Sequence, residues 1–518
     1  MGGRRKAASG QNRTAWSRLE MTKTLQQTSR PELGDLDSAE FDVAMHRVAR
    51  WAVSYRSSID QRLISSNVKP GEVAAQLPSE IPMIGVGLDE LLAEFEQLIL
   101  PNIVHWGHPA FLGYFGSTTT APGILGDVMA ATLNVSAMTW ATSPAATELE
   151  SVILLWLRKM LHLPEEFFGV VYDTASVATL HALAAAREQL PLNIRALGLA
   201  GRDDVPRLRI YASEQAHSSV VKAAITLGIG EANVRRVGCD DRFRMKVREL
   251  RQSIEHDRAA GYLPLAVVAT VGTTSCAAVD PIEEIAEYCR DEQVWLHVDA
   301  AYGGAMALLP EGRHFLSGVE LADSVVVNPH KWLLVPLDFS TLYTRHPDQL
   351  RAVFSLVPEY LRGDAEQNEI NYMDYGIQLG RRFRALKAWM VFSTFGEQGL
   401  INRIRENIRL AKLFASWIDS DEQFELLAPV EMGVVCFRAL WSNKDEETMD
   451  VAGLNELNKA VVRYVNSTGR AYLTHTVLGD KIALRIAVGN VLTTEHHLKE
   501  IFSLLKNSIG MSSQKDDE

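Results

Sequence analysis

Between residues 209 and 331 the sequence alternates short apolar runs with segments of helical spacing, which restricts this part of the chain to an α/β architecture. The run LAVVATV at 265–271 is almost continuously apolar, as expected of a strand buried on both faces of a parallel sheet. PIEEIAEYCR at 281–290 has helical spacing, with a proline where a helix begins. VWLHV at 294–298 and SVVV at 324–327 read as the next strands, and RIYA at 209–212 as an earlier one. In open sheets of this kind ligands sit outside the carboxyl ends of the strands. Three segments fall at that edge: Gly272-Thr273-Thr274, Asp299-Ala300-Ala301 and Asn328-Pro329-His330-Lys331.

The flanking regions follow different patterns. Helical spacing dominates from about 37 to 99, through Phe41, Ala44, Val48, Trp51 and Val53, with a turn-rich stretch at 69–82 and a second helix at 88–100 that stops at Pro101. This part has little with which to close a core of its own, so it is expected to lie against another surface. Beyond about 386, helices at 385–395 and 400–418 precede strand-like pieces at 433–438 and 482–488, the pattern of a separate α+β lobe.

Charge and cysteine usage exclude several classes. A net charge of -12 argues against nucleic acid as a partner, because neutralising phosphates needs clustered Lys and Arg. No stretch reaches the roughly 18 apolar residues of a membrane span. Cys239, Cys276, Cys289 and Cys436 show neither C-x-x-C pairing nor metal-ligand spacing, so no metal site is expected, and the scarcity of cysteine suits a reducing cytoplasm. The first nineteen positions carry Arg4, Arg5, Lys6, Arg13 and Arg18 and no acid. They read as a disordered tail, with a transit-type segment as the alternative.

The residues at the sheet edge suit one cofactor. Pyridoxal 5′-phosphate (PLP) needs a lysine amine for covalent attachment, an acid beside its pyridine nitrogen, donors for its phosphate and a flat group over its ring. Asp299 ends one strand among small neighbours, and Lys331 follows the next strand one unit later. His217, in EQAHSS, follows RIYA. Ala175 and Ser176 open an apolar helix, whose free N–H groups suit a phosphate. Taken singly each residue has an ordinary structural reading, as helix cap, solvated charge or core imidazole. The placing of Asp299 and Lys331 on successive strands is what favours the PLP reading over these.

HVDAAYGG at 297–304 and NPHKW at 328–332 closely resemble the group II PLP-dependent decarboxylases, and the resemblance extends from about 35 to 505. HWGHPAFLGYF at 105–115, WATSPAATELE at 140–150, QAHSS at 215–219 and LGRRFRALK at 379–387 resemble the aromatic-L-amino-acid branch most. The resemblance implies fold type I, a mostly parallel sheet flanked by helices with a smaller C-terminal α+β domain. It implies that Lys331 carries PLP, that Asp299 pairs with the pyridine nitrogen and that His217 stacks on the ring. Ala175, Ser176, Asn328 and His330 would surround the phosphate, and Thr274 and Ala301 would line the cofactor site. Gly380 resembles a position that reaches the phosphate from the neighbouring subunit of a homodimer. The implied organisation is a tail at 1–34, an N-terminal helical segment at 35–115 packed on the partner subunit, a PLP-binding domain at 116–386 and a small domain at 387–510.

The implied reaction is decarboxylation of an L-amino acid to its amine, with Tyr360 returning a proton to the substrate carbon. The polar stretch at 363–371 around it has the composition of a flexible lid. Trp106, Phe115, Ser117 and Met138 are expected in the substrate pocket. Gly116-Ser117, Ser136, Met138 and the run DYGIQ at 374–378 depart from the animal aromatic enzymes. Aromatic substrates are favoured, with glutamate, histidine and diaminobutyrate as alternatives. Oxidative deamination to an aldehyde, another PLP reaction and a catalytically silent PLP-binding homologue remain as other readings. Tyr360 and His217 favour the amine.

Overall fold

The computed structural model describes residues 35–116, 118–356, 369–441 and 449–512. The tail at 1–34, Ser117, Tyr360 and most of the 363–371 stretch lie outside the described residues.

The helix Ser38–Ser57 is a unit by itself. Its start is fixed by a reciprocal box. Asp37 Oδ1 accepts the N–H groups of Ala39 and Glu40 at 2.8 and 2.9 Å, and the Glu40 carboxylate accepts the Asp37 N–H at 3.2 Å. These bonds satisfy donors that a first helical turn leaves free. One turn apart on this helix, Trp51 and Tyr55 stack at 5.4 Å. The helical pattern is interrupted more widely than at 69–82: residues 58–87, containing Pro70, Gly71, Pro78 and Pro82, form turns and 3-10 segments before the helix Leu88–Glu94, which runs on as a π-helical turn at Phe95–Ile99.

The chain from Ser58 onward forms the second unit and carries two sheets. The larger contains β1 (Phe168–Tyr172), β2 (Leu208–Ser213), β3 (Val234–Val237), β4 (Leu263–Thr270), β5 (Trp295–Asp299), β6 (Ser324–Val327) and β7 (Ser340–Thr344), in the order β1-β7-β6-β5-β4-β2-β3. Neighbours from β3 to β6 pair in parallel, and β7 alone runs against the rest. The apolar run of β4 is explained by its position, since Ala266, Val267, Val268 and Ala269 are completely buried. The helices Ala175–Gln189, Val247–Ala259 and Ile282–Asp291 pack on this sheet.

The smaller sheet is antiparallel, with β8 (Phe424–Leu426), β9 (Val434–Ala439), β10 (Thr474–Leu478) and β11 (Lys481–Ala487) in the order β10-β11-β9-β8. A second core forms around it from Phe414, Phe437, Val461, Leu484 and Leu498. The segment at 110–112 belongs to this core, bridged to Tyr472 by N–H bonds from Leu112 to the Tyr472 carbonyl (2.9 Å) and from Tyr472 to the Ala110 carbonyl (3.1 Å). The two long helices read after 385 meet directly at a kink, where Gly396 has φ 62° and ψ 171°.

Candidate active site

The register of the large sheet brings the sequence-selected segments to one edge. Tyr172 at the end of β1 lies opposite Ser340 at the start of β7, and Thr341 lies opposite Val327 at the end of β6. Thr270 and Asp299, the last residues of β4 and β5, are register partners. Ala175-Ser176, His217, Thr274, Asp299-Ala301 and Asn328-Lys331 therefore all follow strand ends on the same side of the sheet.

Alternation along β5 shows how Asp299 is supported. Trp295, His297 and Asp299 share one face, because successive side chains on a strand point to opposite sides. Trp295 Nε1 donates to Ser324 Oγ at 2.9 Å, and the His297 ring meets Ser324 Oγ at 2.9 Å and Thr179 Oγ1 at 3.3 Å. Burial holds His297 down at about 4, so it is a neutral layer beneath the carboxylate. Asp299 is itself buried, and its Oδ1 accepts the Ala301 N–H at 3.1 Å.

Lys331 sits on the short helix Pro329–Trp332, whose first position is the proline. Asn328 precedes it, its side-chain oxygen accepting the Ser340 hydroxyl at 2.6 Å and its N–H donating to the Ala301 carbonyl at 3.1 Å. His330 Nδ1 accepts the Phe339 N–H at 3.0 Å, and burial, with the Lys331 charge beside it, holds this ring at about 4. Asn328 and His330 thus anchor the backbone that leads into the lysine. Burial lowers the Lys331 ammonium to about 8; the Asp299 carboxylate opposes this and the Arg485 charge adds to it. A lysine poised this near neutrality is suited to nucleophilic attachment.

His217 Nδ1 accepts the Ser219 N–H at 3.2 Å and lies 3.0 Å from its hydroxyl. Accepting an N–H requires a lone pair on Nδ1, so the neutral ring carries its proton on Nε2. Desolvation lowers the His217 pKa, Asp299 opposes that shift and Lys331 and Lys222 reinforce it. At the helix Ala175–Gln189 the Thr174 hydroxyl donates to Asp173 and makes no cap, which leaves the first-turn N–H groups of a 15-residue helix available to an anion.

Lys331, His217, Thr274, Phe115 and Trp106 line one cavity of about 700 Å³. Phe115 stacks on Tyr302 at 4.0 Å, Tyr302 on Trp332 at 4.7 Å, and the Lys331 amine lies 4.8 Å from the Phe115 ring centre. Met138 and Gly380 are not part of this wall. They sit on a separate pair of loops joined by the Ala137 N–H to the Arg381 carbonyl at 2.8 Å and a bridge between Ser136 and Arg382. Gly380 is exposed, and a side chain there would touch nothing.

Residues 70–440 match the family model described as the pyridoxal-dependent decarboxylase conserved domain. The chain belongs to the pyridoxal-dependent decarboxylase family. The cofactor is PLP, and the enzyme class is amino acid carboxy-lyase. Among relatives, the chain is 38% identical to tryptophan decarboxylase 2 of Oryza sativa subsp. japonica, over 92% of this chain and 95% of that protein. It is 37% identical to a phenylacetaldehyde synthase of Arabidopsis thaliana, over 92% and 96%. The solved structure of an Oryza sativa TDC with PLP and tryptamine superposes with a TM-score of 0.88 at 35% identity, covering 92% of this chain and 99% of that one.

The site of this decarboxylase fits its cofactor: a depressed lysine, a buried carboxylate on a neutral support, an open helix start and a neutral imidazole share one strand edge. Sequence reasoning missed the far wall of the cavity. Tyr114, Tyr472, Thr474, His475, Thr476 and Arg485 also line it, and all but Tyr114 come from the C-terminal region. Tyr114 lay inside a motif already singled out. The others carry no local signal, because only the packing of the small sheet brings them across.

Proposed function

We propose that this enzyme removes the carboxylate of an aromatic L-amino acid as carbon dioxide and releases the amine. The observation that carries the reading is the aromatic wall beside Lys331. Trp106 and Tyr114 are parallel at 5.3 Å, Phe111 stacks on Tyr472 at 5.0 Å, and Phe115 faces the lysine. Flat apolar surfaces of this kind favour a ring over a charged side chain. Names of relatives agree, several being tryptophan or tyrosine decarboxylases.

When bound, PLP withdraws electrons from the substrate carbon that loses its carboxylate. The chain's own residues do the rest. The Asp299 carboxylate would face the pyridine nitrogen, Lys331 would supply the attaching amine, and His217 would cover the ring. Ala175, Ser176, Asn328 and His330 would surround the phosphate, and Thr274 and Ala301 would complete the cofactor wall. Tyr360 is assigned the proton returned to the substrate carbon, and Ser117 a place in the pocket. Met138 and Gly380, away from this cavity in one chain, are assigned to the site of the second subunit of a homodimer. Four unlinked cysteines suit a cytoplasmic location. Among the described residues no helix is long and apolar enough to cross a membrane.

A second reading is decarboxylation coupled to oxidative deamination, favoured by the similarity to phenylacetaldehyde synthase. One experiment addresses both. Holoenzyme is incubated with each common L-amino acid, and carbon dioxide, amine, aldehyde and peroxide are measured. Amine and carbon dioxide from aromatic substrates alone support the first reading. Aldehyde with peroxide establishes the second, and release from glutamate or histidine sinks the aromatic assignment.

A further inference from the structure

Arg485 crosses from β11 into the cavity wall and is 3% exposed. Its Nε donates to the carbonyls of Thr274 and Ser275, each at 3.0 Å, and its Nη1 donates to the Tyr114 carbonyl. Nη2 is buried and has no hydrogen-bond partner among the described residues. All these acceptors are neutral, so the guanidinium charge is held in place without being cancelled. The guanidinium carbon lies 4.7 Å from the centre of the Phe115 ring, and the Lys331 amine lies 4.8 Å from the same centre. One aromatic ring therefore lies beside both groups, Arg485 from β11 and Lys331 from the short helix after β6.

We propose that Arg485 is a positioning residue for cofactor attachment, tying the Thr274-Ser275 loop and Tyr114 into one wall while its uncancelled charge, beside the same Phe115 ring as Lys331, favours the lysine's free amine over its ammonium. The inference rests on Lys331 being the PLP lysine. Attachment forms a carbon–nitrogen double bond between the amine nitrogen and the cofactor's aldehyde carbon, and the aldehyde oxygen leaves as water. An ammonium has no lone pair with which to begin this step. The charged and titratable groups around Lys331 act in known directions. Asp299 on β5 favours the ammonium and Arg485 on β11 disfavours it. His330 on the lysine's own helix is neutral, and so is His217 beyond β2. Arg485 is the cation that offsets Asp299 here. Burial does most to lower the lysine, and without Arg485 the balance between burial and Asp299 shifts towards the ammonium.

The test uses the full chain, stripped of cofactor and mixed with PLP across a range of pH, with attachment followed by visible absorbance. In wild type the rate is expected to rise with a midpoint near 8. Arg485→Met is expected to move the midpoint up by about one unit, which is about 10-fold slower attachment at neutral pH. Arg485→Lys keeps a charge but loses the carbonyl contacts, so its midpoint stays near wild type while bound PLP dissociates faster. Arg485→Gln replaces the Met variant if thermal melts show the latter unfolded. An unmoved midpoint in both neutral variants, or a Lys variant shifted as far as they are, overturns the inference and leaves the decarboxylase reading intact. Attachment that survives Lys331→Ala overturns both.

Discussion

Asp299 and Lys331 make opposing electrostatic demands within one small volume. A carboxylate strong enough to hold a pyridine proton also stabilises an ammonium, and burial around Lys331, with the Arg485 charge beside Phe115, opposes that. Asp299→Asn keeps the shape and removes the charge, so kcat is expected to fall roughly 10²- to 10³-fold, the scale of losing one aligned electrostatic group. PLP absorbance and steady-state carbon dioxide release check this, and an activity within a few-fold of wild type would count against the role. Tyr360→Phe is expected to divert product from amine towards aldehyde, read by mass spectrometry with peroxide detection. An unchanged amine yield would remove Tyr360 from the proton-return step.

The elements gather these side chains, and a buried ion pair holds one set of them. Arg381 donates to Glu150 twice, at 2.6 and 3.0 Å, and also to the carbonyls of Ala137 and Val171. The loops carrying Met138 and Gly380 are thus fixed to β1 and to the helix Pro144–Met160. Arg381→Met leaves a buried carboxylate without its partner and is expected to cost about 3–5 kcal/mol, measurable by urea unfolding. The double variant with Glu150→Leu should recover much of that loss; if it does not, the cost lies elsewhere than in the stranded charge. These elements were unequally legible in the sequence. β4, β5 and β6 stood out because burial on both faces demands uninterrupted apolar residues. β1 (FGVVY) and β7 (STLYT) are short and mixed, and nothing local shows that β7 inserts antiparallel between β1 and β6. Asp299 and Lys331 were legible because a strand end dictates where each stands. Arg485 was not, since on its own strand it reads as one polar residue in KIALRIA, and only the contact between the two sheets gives it a role.

For the whole molecule, buried imidazoles shape the response to acid. His108, His181, His297 and His330 are each held near 4 from an ordinary 6.5, chiefly by burial. Between those values the unfolded chain binds protons that the folded chain refuses, so stability rises with pH through that window and is lost as pH falls through it. Asp280, buried and raised to about 6, works the other way, but it is one group against four. Scanning calorimetry should show the melting temperature dropping steadily from pH 6.5 towards 4, and a flat profile would contradict the buried neutral assignments. The proposed homodimer makes a separate prediction: activity per chain should fall on dilution together with the loss of dimer seen by light scattering. The claim most worth testing first is the chemistry itself. Holoenzyme given carboxyl-labelled L-tryptophan or L-tyrosine is predicted to release labelled carbon dioxide in one-to-one ratio with amine, and Lys331→Ala to release none. Absence of label from every aromatic substrate, with PLP attached to Lys331, would contradict the account.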